Sequence, residues 1–174
     1  MARPAAVRGP SLRARSRDAE HPRLRARAGG AQHLEPAGSL GRVSVLEGSC
    51  LCGGVRFEVS GEFEPRSYCH CTSCKRLSGG AATANGRARS DSIRITAGRE
   101  LLRTYQPDEG SAKTFCSVCG SNLFGAGWPE SEFASVRLPA IDTPFEGGPT
   151  RHIFTRSVAA WETLPDDGLL CEED

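Results

Sequence analysis

Seven of the eight cysteines fall into three tight clusters: Cys50-Leu51-Cys52, Cys69-His70-Cys71-Thr72-Ser73-Cys74 and Cys116-Ser117-Val118-Cys119. This grouping constrains the chain more than any other feature. A local C-x-C or C-x-x-C turn brings two sulfurs to one side of the backbone, and zinc takes four such donors in a tetrahedron. The N-terminus lacks the apolar core of a secretory signal. Reduced, metal-binding thiols in a cytoplasmic setting are therefore expected, rather than a disulfide framework.

Two matched pairs, Cys50/Cys52 and Cys116/Cys119, can close one tetrahedral S₄ site, a set that selects zinc over harder ions. Buried or disulfide-bonded cysteines would not explain two matched pairs. Cys69, Cys71 and Cys74 can converge on a second ion with one position left over. The fourth ligand is open at this level. His70 lies between two ligand positions, so its ring is expected to point away. His152, Asp142 or water would close the site; an exogenous thiol would leave it available for chemistry. Cys171, in the acidic run Glu172-Glu173-Asp174, reads as a free surface thiol.

The chain is 38% hydrophobic and only 6% aromatic, so its core is modest and metal binding is expected to help it fold. No run of about eighteen apolar residues is present, and no membrane-spanning helix is expected. Charge divides unevenly. Residues 1–47 hold nine arginines against four acids, and residues 48–174 carry a net −4. The first segment, rich in Arg, Ala and Pro without a durable period, is expected to be a disordered extension. The acidic second segment argues against a nucleic-acid surface on the folded part.

From Gly48 to residue 174 the pattern is mainly β, with many short strands in small sheets and Gly/Pro turns between them. Val55–Val59 alternates as a half-buried strand does. Ile93–Ile95, Leu101–Tyr105, Lys113–Phe115, Phe133–Leu138 and His152–Phe154 are further strands. Pro107–Gly110 signals a hairpin. A short helix is expected over Ser157–Leu164, with Trp161 as a core anchor behind it.

Three stretches carry a resemblance. Gly48-Ser-Cys50-Leu-Cys52-Gly-Gly-Val55-Arg-Phe57, Cys69-His-Cys71-Thr-Ser-Cys74-Lys-Arg-Leu-Ser-Gly79 and Phe115-Cys116-Ser-Val-Cys119-Gly120-Ser121 are similar, in order and spacing, to the motifs of the glutathione-dependent formaldehyde-activating enzymes. His152-Ile153 with Ala160-Trp161 resembles that family's C-terminal end. The resemblance spans roughly residues 48–168. It implies a folded-over β domain assembled around the cysteine knuckles and two zinc ions per chain, with the Cys50/Cys52/Cys116/Cys119 zinc structural and the Cys69/Cys71/Cys74 zinc labile beside a glutathione site. It also implies carbon–sulfur lyase activity on an adduct of glutathione, or a similar thiol, with a small aldehyde, such as S-hydroxymethylglutathione. The family includes centromere-protein-V-like members, so a non-enzymatic zinc module for protein interaction is the alternative. A thiol-redox role for Cys69, Cys71 and Cys74 is a third.

On this reading the thiol's carboxylates need cationic partners, and Lys75, Arg76 and Arg151 are the candidates. Trp128, in the Gly125-Ala-Gly-Trp128-Pro129 loop, is the candidate pocket wall. The stretch Arg137-Leu138-Pro139-Ala140-Ile141-Asp142 departs from the family pattern. Its proline stiffens the turn and removes a backbone donor.

Overall fold

The computed structural model describes residues 45–173. These form two sheets with a hydrophobic core between them. The smaller sheet has the order β1–β2–β5, with β1 at Val45–Ser49, β2 at Arg56–Ser60 and β5 at Ile93–Ala97. The larger has eight strands in the order β11–β10–β3–β4–β9–β8–β7–β6. Its members are β3 (Arg66–Cys69), β4 (Thr83–Arg89), β6 (Leu102–Tyr105), β7 (Lys113–Cys116), β8 (Asn122–Gly125), β9 (Phe133–Arg137), β10 (Arg151–Ile153) and β11 (Leu170–Cys171). All pairings are antiparallel except those of β10, which runs parallel to both β3 and β11. The mainly β, small-sheet reading of the sequence holds.

Alternation explains how the sheets stack. Phe57 and Val59 of β2 are buried. Phe57 meets Phe124 of β8 edge-on, with ring centroids 4.9 Å apart, and Trp128 packs against Phe124 at 4.4 Å. β4 reads Thr83-Ala84-Asn85-Gly86-Arg87-Ala88-Arg89 and β9 reads Phe133-Ala134-Ser135-Val136-Arg137. In each, small apolar residues face the core, and the polar ones, joined by Phe133 in β9, face the opposite side. Gly86 is required there, because a Cβ would stand 2.5 Å from the Phe63 ring. The opposite face is polar yet also buried: Ser67, Thr83, Asn85, Lys113 and Arg137 are each less than a tenth exposed. A buried polar face needs partners, and this one surrounds the second cysteine cluster.

Four sequence expectations change. The folded segment begins earlier than Gly48, because Val45–Glu47 belong to β1; residues 1–44 lie outside the described residues. The helix is not at Ser157–Leu164 but at Thr72–Ser78 (α1). Cys71 caps its start, with Sγ accepting from the Cys74 N–H at 3.4 Å. Gly79 ends it at φ +68, donating to the Lys75 carbonyl at 2.9 Å. Only a 3₁₀ turn, Thr155–Ser157, stands near the expected helix; β-branched Val158 and Thr163 and the following Pro165 disfavour continuation. Trp161 is 78% exposed rather than a core anchor, whereas Trp128 is 4% exposed and belongs to the core.

Candidate functional site

Two turns of similar build make the first cysteine cluster. Gly53 donates to the Cys50 carbonyl at 2.8 Å and Gly120 to the Cys116 carbonyl at 2.8 Å. Both glycines sit at positive φ, +69 and +75, where a side chain would strain the turn. The four sulfurs of Cys50, Cys52, Cys116 and Cys119 all lie within 4.8 Å of one another. Cys50 and Cys52 are 3.4 Å apart, Cys52 and Cys116 4.0 Å. A tetrahedral thiolate site with metal–sulfur bonds of about 2.3 Å has edges of about 3.8 Å, so the set fits a metal ion.

Ser121 ties the two turns together. Its hydroxyl accepts from the Leu51 N–H at 2.9 Å and lies 3.3 Å from Cys119 Sγ. Desolvation raises the Cys119 thiol, yet hydrogen bonds from Ser121 and the Cys52 backbone outweigh it and bring it to about 6. A thiol so lowered is ready to ligate.

The second cluster is assembled by the end of β3 and the start of α1. Cys69 closes the strand, Cys71 caps the helix, and Cys74 lies in the helix's first turn, all with sulfurs within 4.8 Å. Hydrogen bonding between Cys69 and Cys71 raises the first thiol and lowers the second. Among the described residues no further His, Cys, Asp or Glu donor joins this trio. His70 turns away from it, as expected. Its Nε2 lies 2.9 Å from Nδ1 of His152, so His152 is engaged there rather than closing the trio. Asp142 lies beside β1, where its backbone N–H donates to the Glu47 carbonyl at 2.8 Å, and its carboxylate is not among the trio's donors. All eight cysteines are unpaired, and Cys171 is exposed, apart from both clusters.

The trio opens into a cavity of about 470 Å³. Behind the sulfurs stand Asn85, Ser135 and Arg137, with Arg87 and Lys113 beside them. Strand register puts them there. Asn85 of β4 is paired with Ser67 of β3 on one side and Arg137 of β9 on the other, and Arg87 is paired with Ser135. Arg137 donates through Nη1 to Asn85 Oδ1, and to Ser135 Oγ at 3.2 Å. Arg87 lies over the Phe133 ring at 3.8 Å.

The binding candidates read from the sequence are placed elsewhere. The Lys75 ammonium donates to the Ser157 carbonyl, and Lys75 and Arg76 line a separate groove with Trp161. Arg151 is paired with Glu172 at 2.6 Å. Trp128 is buried against Phe124, not on the cavity wall. Of the stretch around Pro139 only Arg137 lines the cavity. Pro139 sits in a 3₁₀ turn, Leu138–Ala140, that leads to Ile141, which bridges to Gly48. Arg87, Lys113 and Arg137 escaped the sequence reading because strand register, not sequence proximity, brings them to the sulfurs. The strict alternation of Thr83–Arg89 was the available signal.

The family model described as "Glutathione-dependent formaldehyde-activating enzyme" matches residues 45–157, more than half of the chain. The chain belongs to this family. A relative from Halomonas elongata, described as a putative glutathione-dependent formaldehyde-activating enzyme, is 34% identical over 128 residues, which cover 67% of this chain and 79% of the relative. A crystal structure of a Rhodobacter sphaeroides protein is similar at 21% identity with a TM-score of 0.46, covering 72% of this chain and 98% of that one. The matched range contains the two knuckles and the strand-to-helix corner that holds the trio. Among the described residues no helix is long and apolar enough to cross a membrane.

Proposed function

We propose that the protein is a zinc-dependent carbon–sulfur lyase that makes and breaks the adduct of glutathione, or a similar thiol, with a small aldehyde such as formaldehyde. The observation that carries this reading is the trio of sulfurs, joined by no fourth protein donor among the described residues and facing a cavity. Cys50, Cys52, Cys116 and Cys119 would hold one zinc as a staple between β1–β2 and β7–β8. Cys69, Cys71 and Cys74 would hold the other. A zinc ion in the trio would keep an incoming thiol ionised at neutral pH.

The reaction requires the thiolate sulfur to attack the carbonyl carbon. A C–S bond forms, the C=O π pair moves onto oxygen, and that oxygen takes a proton from water. The cavity's own contribution is placement: it brings two dilute reactants together. Arg137 and Lys113 offer donors to the thiol's carboxylate or to the oxygen as it gains charge. Cys69 and Cys74 are buried, which limits water around the sulfur.

Full-length protein loaded with zinc tests this directly. With glutathione and formaldehyde, exchange NMR should show adduct formation and cleavage faster than in buffer. Cys71→Ser should remove that acceleration together with one zinc, leaving the other bound. Protein holding two zinc ions per chain with no acceleration would rule the reading out.

A further inference from the structure

The cavity wall is cationic where the surrounding chain is not. Residues 48–174 carry a net −4, yet among the described residues no Asp or Glu lines the cavity, while Arg87, Lys113 and Arg137 do. Arg87 is held at the wall by Phe133. The other two are the unusual pair: Arg137 is 4% exposed and Lys113 8%.

Arg137 is only half satisfied. Its Nη1 has Asn85 and Ser135, whereas Nε and Nη2 are buried without a partner. Lys113 has a single long contact, 3.4 Å from its ammonium to Ser111 Oγ. Gly125 makes the two neighbours. A Cβ there would come 3.0 Å from Arg137 Nη2 and 3.6 Å from Lys113 Cδ. Two like charges buried side by side with spare donors are costly unless an anion joins them. The sulfurs of Cys69, Cys71 and Cys74 line the same cavity and supply part of that charge. A guanidinium keeps its proton here, so the free donors remain donors.

We propose that Arg137 and Lys113 select the charge of the ligand that enters beside the sulfur trio, so that the cavity takes thiols bearing a carboxylate and turns away aminothiols. This rests on the reading that a thiol completes the trio's metal site. A carboxylate satisfies the free Arg137 donors and neutralises the Lys113 ammonium. An ammonium finds no acid on the wall and meets two like charges.

Three thiols with the same two-carbon spacer isolate the effect: 3-mercaptopropionate, 2-mercaptoethanol and cysteamine. The full chain is loaded with cobalt(II) as a visible probe. Each thiol is titrated while the sulfur-to-cobalt absorption is followed, and affinities are compared per thiolate. 3-Mercaptopropionate should bind about tenfold tighter than 2-mercaptoethanol, as a charge-assisted hydrogen bond provides, and cysteamine should bind more weakly than either. Lys113→Gln and Arg137→Gln should each shrink the spread, and Arg137→Lys should restore part of it. If Arg137→Gln does not fold, Lys113→Gln and the wild-type series still decide. Equal affinities for the three thiols would overturn the charge selection and leave thiol ligation standing. No spectral change with any thiol would instead remove the reading beneath it.

Discussion

Nε2 of His70 lies 2.9 Å from Nδ1 of His152, and both rings are almost wholly buried. The pair joins the corner between Cys69 and Cys71 to β10. Each ring also meets a carboxylate from the C-terminal segment: Glu162 Oε1 is 3.3 Å from His70 Nδ1, and Asp167 Oδ2 is 3.2 Å from His152 Nε2. Burial pushes His70 below its ordinary value, against the pull of Glu162. Two residues 82 apart in sequence thus hold the sulfur-bearing strand and the chain's last segment together.

His152→Ala should destabilise the zinc-loaded protein by about 1–3 kcal/mol, since it strands a buried ring nitrogen on His70. Urea denaturation at fixed metal content measures this. A loss below about 0.5 kcal/mol would show that the pair is idle.

The carboxyl of Asp167 sits below its ordinary value, first through the Leu169 N–H and then through His152. A depressed folded value means that its contribution is present above the unfolded value of 3.8 and disappears as pH falls through the folded one. A carbon-13 NMR titration of the side chain should place the midpoint under 3.8. His152→Ala should move it up.

Replacing one cysteine in each cluster should give different failures. Cys116→Ser opens the cluster that joins two distant hairpins, and a metal held there would couple to folding. The variant should lose one zinc, unfold at lower denaturant and release the second zinc readily. Cys71→Ser breaks a cluster contained within six residues. It should lose one zinc yet keep most of its denaturation midpoint. Identical behaviour of the two variants would contradict the division of roles.

Gly48→Ala places a Cβ 2.6 Å from the Ala140 carbonyl oxygen and against the Phe57 ring. Neither can retreat, because Phe57 is buried in the core and Ala140 follows Pro139 in a fixed turn. Overpacking of this kind costs about 1–3 kcal/mol, readable as a lowered thermal midpoint. Gly110→Ala serves as a comparison: its added Cβ meets only Pro107 Cγ at 4.0 Å, although the residue's φ of +97 carries its own strain.

The cysteine clusters able to hold a metal were legible because C-x-C and C-x-x-C turns are local. Strands such as β2, whose Phe57 and Val59 alternate with polar residues, were legible for the same reason. α1 was missed although Cys71 as its cap and Ser78-Gly79 as its stop stood in plain view. Metal spacing and helix capping used the same cysteines, and only the first was read. Lys75 and Arg76 are adjacent to the trio in sequence. The helix turns them toward a different groove, beside Trp161.

By itself, the order of residues determined which atoms can bind metal and that short alternating strands carry them, since both depend on neighbours within a few positions. Tertiary structure decided what surrounds the sulfurs. Arg137 reaches the trio through β9 and β4, Lys113 reaches it past Gly125, and His152 meets His70 through the parallel pairing of β10 with β3. Strand register is a property of whole sheets, so no local spacing could announce these meetings.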